Sequence, residues 1–353
     1  SGRITLSAES MERLENKYQF CVRQNVRSLY AVSEMNTVMR SHHFPYIILK
    51  GLAAASYYPQ YMLRMLGDVD FLIDPEQRTE VERALDEAGY ENWNTNHICH
   101  VVFRKPGQSL EMHFEIPGIP HGMLGEVVRD YMKGAEKVSV PFSMNGTEVD
   151  LPLPKYHGLI LLLHMQHHML SEGIGLRHLL DYCLFVDRTS QDDFWQTDLL
   201  PILKKIGLYK YAQVMAKTGT LYFNTRCPSW AEEAESDLCD AVMQDILIGG
   251  NFGRKNMTRS LSGRMISQHG KEGTRHGSVY NLWHTLNHAV ALKHPIVHKI
   301  PPLYLIYDTG IAFRWCYRVM TGKRRSMIGS SKYVAERKSV YAQLKIFEIE
   351  KGL

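Results

Sequence analysis

The stretch Leu66-Gly67-Asp68-Val69-Asp70-Phe71-Leu72-Ile73 constrains the fold more than any other part of this chain. Its apolar run, headed by two carboxylates, reads as a buried β-strand. On a strand, residues i and i+2 share a face. Asp68 and Asp70 therefore project together, while Val69 and Phe71 turn into a core. Two adjacent carboxylates repel unless a cation lies between them. Oxygen donors on a rigid strand suit Mg²⁺, which keeps several waters and takes one or two carboxylates together with substrate phosphates. The same pair also reads as a cap or turn ahead of a buried strand, and the stretch alone does not choose.

What precedes it narrows the choice. Residues 7–42 carry Met11, Leu14, Tyr18, Cys21, Val22, Leu29, Val32 and Met35 at helical spacing, with Ser7 and Ser10 as caps. Tyr46-Ile47-Ile48-Leu49 is a short buried strand. Lys50-Gly51 follows, and Leu52-Ala53-Ala54-Ala55 opens a helix. A strand that runs through glycine into a helix start presents free N–H groups to an anion, and Lys50 adds a point charge. An exposed lysine before an ordinary turn gives the same pattern. After the carboxylate strand, Asp74-Pro75-Glu76 opens a helix that Gly89 ends.

The next informative segment is Leu110-Glu111-Met112-His113-Phe114-Glu115-Ile116, which alternates polar with apolar throughout. Glu111, His113 and Glu115 face one way, and Leu110, Met112, Phe114 and Ile116 face the core. Residues 98–104 supply its hairpin partner across Pro106-Gly107. Residues 120–133 read as a helix. Asn145-Gly146 joins strands 138–142 and 147–151 in a hairpin. Beyond Pro152-Leu153-Pro154 the strand patterns give way to helices. They are expected at 155–170, 176–187, 192–205, 209–218, 230–247, 279–292, 303–320 and 332–349, with a Gly-, Ser- and Arg-rich loop at 249–277. The expected divisions are a helical segment 1–44, an α/β domain 45–154 and a helical domain 155–353, an α+β chain.

Composition excludes several classes. Lys+Arg number 41 against 37 Asp+Glu among 353 residues, a net charge of +4 that is no footprint for nucleic acid or anionic membrane. No segment has the uninterrupted apolar length of a membrane span. The six cysteines lie apart with no CxxC pair, as in reduced cytosolic proteins. The opening residues show no charged-then-apolar signal pattern, so a cytoplasmic location is expected.

Leu49-Lys50-Gly51, the run from Arg64 to Ile73, Gly89-Tyr90 and Leu110-Glu111-Met112-His113 together resemble the nucleotidyltransferase superfamily, the polymerase-β-like fold. Leu176-Arg177-His178-Leu179-Leu180-Asp181 is similar too. Over residues 45–187 the chain looks closest to a bacterial family of nucleotidyltransferases known mainly from its sequences. The resemblance implies a mixed sheet with flanking helices, followed by an all-helical domain. It implies that Asp68, Asp70 and Glu111 are the catalytic carboxylates and hold two Mg²⁺ ions. It places Gly51 at the turn receiving the triphosphate of an NTP. Lys50, Gly51, Arg64, Gly67, His113 and Arg177 are the candidate nucleotide-binding residues. The sequence departs from the superfamily in one place: Leu52 stands where a Ser or Gly usually follows Gly51. A long spacer containing Tyr58-Pro59-Gln60-Tyr61 also separates Gly51 from Asp68.

The implied activity is Mg²⁺-dependent transfer of an NMP group from an NTP to an unidentified acceptor: a small molecule, a protein or an RNA end. Leu52 motivates an alternative, an inactive nucleotide-binding or protein-interaction module of the same fold. Histidines offer a third possibility. His164, His167 and His168 share a helix face, and His97 and His100 form a second pair, so either group suits zinc if further ligands join it. Packed core histidines give the same spacing. Arg177 and Asp181 stand at i, i+4, which also fits a helix-surface ion pair.

Overall fold

The computed structural model describes residues 6–94, 99–120, 122–171, 173–249 and 339–349, with isolated positions at 304, 307, 309, 310 and 317. The helix expected at 279–292, most of that at 303–320, the first seven residues of that at 332–349, and all but the first residue of the loop at 249–277 lie outside the described residues. By its internal contacts the chain divides into two units. One comprises Ser1–His164, His178–Ala234 and Ile346–Leu353; the other comprises Met165–Arg177 and Glu235–Lys345.

Helix α1 runs unbroken over Ala8–Ser41, and the Ser7 hydroxyl caps it by accepting from Ser10 N–H. Its buried positions Cys21, Asn25, Ser28, Leu29, Val32, Met35, Asn36 and Met39 follow the i, i+3/i+4 rule and make one stripe. The stripe stops short of the N-terminus. Met11, Leu14 and Tyr18, which share the helical spacing, are 55%, 54% and 46% exposed. A helix of 34 residues spans roughly 50 Å, whereas the strands beneath it have at most six residues, about 20 Å. The first turns overrun the sheet.

That sheet comprises β1 (Tyr46–Ile48), β2 (Val69–Ile73), β3 (Glu91–Asn94), β4 (His100–Lys105) and β5 (Gln108–His113). Their spatial order is β1-β2-β5-β4-β3. Only β2 and β5 run parallel, so the sheet is mixed, as expected. Between β1 and β2 lies the short helix α2 (Lys50–Ala55), and between β2 and β3 lies α3 (Arg78–Glu87). Gly89, at φ +85°, ends α3 in the left-handed conformation a side chain disfavours.

The period of two sorts the sheet into unlike faces. Val69, Phe71, Ile73, Leu110 and Met112 join Leu29, Val32, Met35 and Met39 of α1 in one apolar core. Asp70, Glu111 and His113 occupy the opposite face. Helix α4 (Met123–Met132) follows, and then the hairpin β6 (Ser139–Met144) and β7 (Thr147–Pro152). Tyr46 Oη donates to Asn36 Oδ1 at 2.6 Å, and Asn36 Nδ2 donates to the Glu148 carbonyl at 2.7 Å, tying β1, α1 and β7 together.

The remaining described elements are helical: α5 (Pro154–Ser171), α6 (Leu176–Thr189), α7 (Leu200–Ile206), α8 (Tyr209–Phe223) and α9 (Ser236–Gly249). The α+β class is therefore the observed one, with the described elements from Pro154 to Gly249 all helical. Among the described residues, no helix is long and apolar enough to cross a membrane.

Candidate active site

The parallel register of β2 on β5 sets Asp70 opposite Glu111 and Leu72 opposite His113. The antiparallel register of β4 on β5 sets His100 opposite His113. Directly opposed residues share a face. Asp70, Glu111, His113 and His100 thus gather on the polar side of the sheet. Lys50 joins them from the first position of α2, because Leu49 N–H donates to the Asp70 carbonyl at 2.8 Å and draws the end of β1 against β2.

The contacts are short. Lys50 Nζ lies 2.6 Å from Asp70 Oδ1 and 3.3 Å from His113 Nε2. His113 Nε2 lies 2.9 Å from the same Asp70 oxygen and 3.6 Å from Glu111 Oε2. The His113 side chain is fully buried, and its Nδ1 has no hydrogen-bond partner. The rings of His113 and His100 stand 5.0 Å apart, and His100, Glu111 and His113 each direct a potential ligand atom into one small volume.

Burial works against the charge of Asp70, but the Lys50 ammonium and His113 overrule it. They hold the Asp70 carboxyl well below the usual carboxylate range. Glu111 moves the opposite way. Burial raises its pKa first, and the negative Asp70 adds to this against the hydrogen bond from His113. The two carboxyls are thus inequivalent although they face each other.

Asp68 stands one residue ahead of β2, at the bend between Gly67 and Val69, and is exposed. It forms part of the wall of a cleft of about 340 Å³, with Gln24, Arg27, Gly67, Arg104 and Lys105. Glu115, expected on the face of Glu111, lies beyond the end of β5 and is held by Arg129 at 2.6 Å.

Arg64 lies beneath the turn and is 8% exposed. Its guanidinium grips Asp181 of α6 through Nη2–Oδ2 at 2.5 Å and Nε–Oδ1 at 3.2 Å, while Tyr58 Oη donates to Asp181 at 2.7 Å. Burial disfavours the Arg64 charge; Asp181 more than restores it, so the pKa stands above its ordinary value. Gly51 makes this arrangement possible, since a Cβ there would come 2.9 Å from Arg64 Nη1. Leu52, in the place of a hydroxyl residue, is buried. Arg177 is half-buried on the first turn of α6, where the neighbouring Asp181 is engaged by Arg64 and Tyr58.

His97 lies outside the described residues, and His100 instead meets His113 across the strands. His164 meets His178 with ring centroids 5.5 Å apart, and His167 meets His168 at 5.5 Å. Spacing along a single strand could not find the His100 contact, which follows from the antiparallel register of β4 on β5.

Residues 4–224 match the model of a protein family described as uncharacterised nucleotidyltransferase. No curated protein matches the chain. Among solved structures, the antibiotic-resistance factor ANT(2'')-Ia in solution is 14% identical, with a TM-score of 0.34 over 45% of this chain and 83% of that one. The crystal structure of ANT(2'')-Ia with adenylyl-2''-tobramycin is also 14% identical, at 0.34 over 45% and 88%. An antigenic nucleotidyltransferase-like protein from Paracoccidioides brasiliensis is 16% identical, at 0.32 over 50% and 88%. At these scores the structural likenesses carry no argument, whereas the family match spans more than half of the chain.

Proposed function

The chain belongs to the family of uncharacterised nucleotidyltransferases, and from that premise we propose that it moves an NMP group from an NTP to an acceptor hydroxyl or phosphate at the Asp68, Asp70 and Glu111 carboxylates. The observation that carries the reading is the opposition of Asp70 and Glu111 on one polar sheet face, with the Lys50 ammonium already held there at 2.6 Å. The carboxylate oxygen that holds the ammonium is also of the kind that holds a hard divalent cation in its place.

The donor set fits Mg²⁺: carboxylate oxygens on adjacent strands, with a phosphate-bearing substrate to complete the coordination. When bound, two such ions would activate the acceptor and neutralise the departing pyrophosphate. The chain's own residues do the rest by position and charge. Asp68 and Asp70 fix the reacting end of the nucleotide, and Glu111 closes the site from β5. Lys50 offers its ammonium to the phosphates beside the turn at Gly51. His113, buried and hydrogen-bonded to Asp70, keeps that carboxylate in place. In the transfer, the acceptor oxygen bonds to the α-phosphorus as the bond to pyrophosphate breaks, and a hydroxyl acceptor releases its proton to water.

The test is a pyrophosphate-release and mass-shift screen with all four NTPs against small-molecule, protein and RNA acceptors. Asp70→Asn is expected to lower turnover at least about a hundredfold, in line with loss of one electrostatic contact in a transfer site, while the folded far-UV spectrum is kept. Full activity in an Asp68→Asn/Asp70→Asn double variant rules the assignment out. Buried Leu52 favours the second reading, a binding module. Tight Mg²⁺–NTP binding in calorimetry without turnover on any acceptor identifies that case.

A further inference from the structure

Lys50 is unusual in three ways at once. Its φ is +48°, a left-handed conformation that residues with a Cβ rarely adopt. Its side chain is only 13% exposed. Its ammonium lies 2.6 Å from Asp70 Oδ1, the oxygen that also meets His113 Nε2 at 2.9 Å. Strain of this kind persists where the surroundings over-determine it, and here the ion pair with Asp70 does so.

A divalent ion ligated by Asp70 would sit roughly 2.1 Å from a carboxylate oxygen. It would then compete with the ammonium for the same charge, and two cations so close together in a buried setting repel strongly. Resting on the reading of this site as a metal-dependent nucleotidyltransferase, we infer that Lys50 and a divalent cation are alternative occupants of the Asp70 carboxylate. The phosphates of the nucleotide draw Lys50 away and so admit the metal. Neighbouring groups support this exchange. The Arg64 guanidinium is committed to Asp181, and Leu52 brings no polar atom, so Lys50 is the cation of the turn that can transfer to a phosphate. Lys50 is then a positioning residue for the metal as well as a phosphate contact. Metal and nucleotide bind cooperatively through it, and by linkage each strengthens the other equally.

The experiment titrates Mn²⁺ into the full chain, following the free ion by electron paramagnetic resonance, with and without a non-hydrolysable NTP analogue. Without nucleotide, Lys50→Met is expected to bind Mn²⁺ about tenfold more tightly than the wild type, a typical coupling between linked sites. Lys50→Arg retains the wild-type weakness. The analogue tightens Mn²⁺ binding in the wild type and has little further effect in Lys50→Met. A merely structural lysine would leave affinity unchanged or weaken it on removal, and either result overturns the exchange, provided Asp70→Asn abolishes Mn²⁺ binding. If Asp70→Asn binds Mn²⁺ as the wild type does, the metal assignment falls, and the exchange with it. Should Lys50→Met fail to fold, Lys50→Gly, which relaxes the positive φ, repeats the measurement.

Discussion

Arg64 shows how far a single side chain can be read before its partners are known. A basic residue four positions ahead of an Asp pair reads equally well as a phosphate ligand. In the fold it meets Asp181, 117 residues away, with both side chains less than 10% exposed. Removing one partner of a buried pair leaves an uncompensated charge, which costs about 3–5 kcal/mol. Asp181→Leu is therefore expected to lower unfolding stability by about 3 kcal/mol or more in urea denaturation. The apolar double variant Arg64→Met/Asp181→Leu should recover much of that loss. A stability unchanged by Asp181→Leu would free Arg64 from its structural role and return it to the phosphates. Gly51 carries the same lesson. Its place after a strand was legible as a turn, but the guanidinium that forbids a side chain there comes from elsewhere in the chain.

Among elements, the legible ones were those whose signal is local. Asn145-Gly146 specified a two-residue hairpin turn, and both residues have positive φ, +49° and +78°. Gly146→Ala forces a Cβ into that conformation and should lower stability by about 1 kcal/mol, measured as a shift in the thermal midpoint. An unshifted midpoint would mean that the turn relaxes without strain. Strand β3 was not legible, because Glu91-Asn92-Trp93-Asn94 lacks β-branched residues. Pairing with β4 makes it a strand, and the Arg104 guanidinium lies 4.2 Å from the Trp93 ring centroid. The helix expected over 192–205 divides into a π-turn at Trp195–Leu199 and α7, where Pro201 in the first turn has no N–H to donate. The exposed start of α1 was equally hidden, since apolar periodicity reports a stripe and not what lies opposite it.

At the scale of the molecule, the unit that holds the site is assembled from three stretches of chain. Its far stretch returns to α7: Phe347 N–H donates to the Gly207 carbonyl at 2.8 Å. Within this unit His157 is fully buried, with Nδ1 3.1 Å from Tyr57 Oη and its ring beside Phe185. Burial lowers its pKa to about 3, against about 6.5 in an unfolded chain. A depressed histidine stabilises the fold fully above the unfolded pKa. Below about pH 6.5 the unfolded chain alone takes up the proton, and stability falls by about 1.4 kcal/mol per pH unit until the folded pKa is reached. His157→Gln is expected to flatten the stability curve between pH 6 and 4 by up to one proton, read from denaturation midpoints. Parallel curves for both proteins would show that His157 protonates without unfolding.

By itself the sequence determined what depends on period and local chemistry. Asp70 and Glu111 had to leave the core because Val69, Phe71, Leu110 and Met112 enter it. The strand had to turn at Lys50-Gly51, and the stretch from Pro154 to Gly249 had to be mostly helical. Only the tertiary structure decided which strands are neighbours and in what register. The parallel pairing of β2 with β5 puts Asp70 opposite Glu111, and the antiparallel pairing of β1 with β2 brings Lys50 to the Asp70 carboxylate. The alternation of side chains is written along one strand. Register is set by packing between distant segments, in which a slip of one residue would expose the whole apolar face.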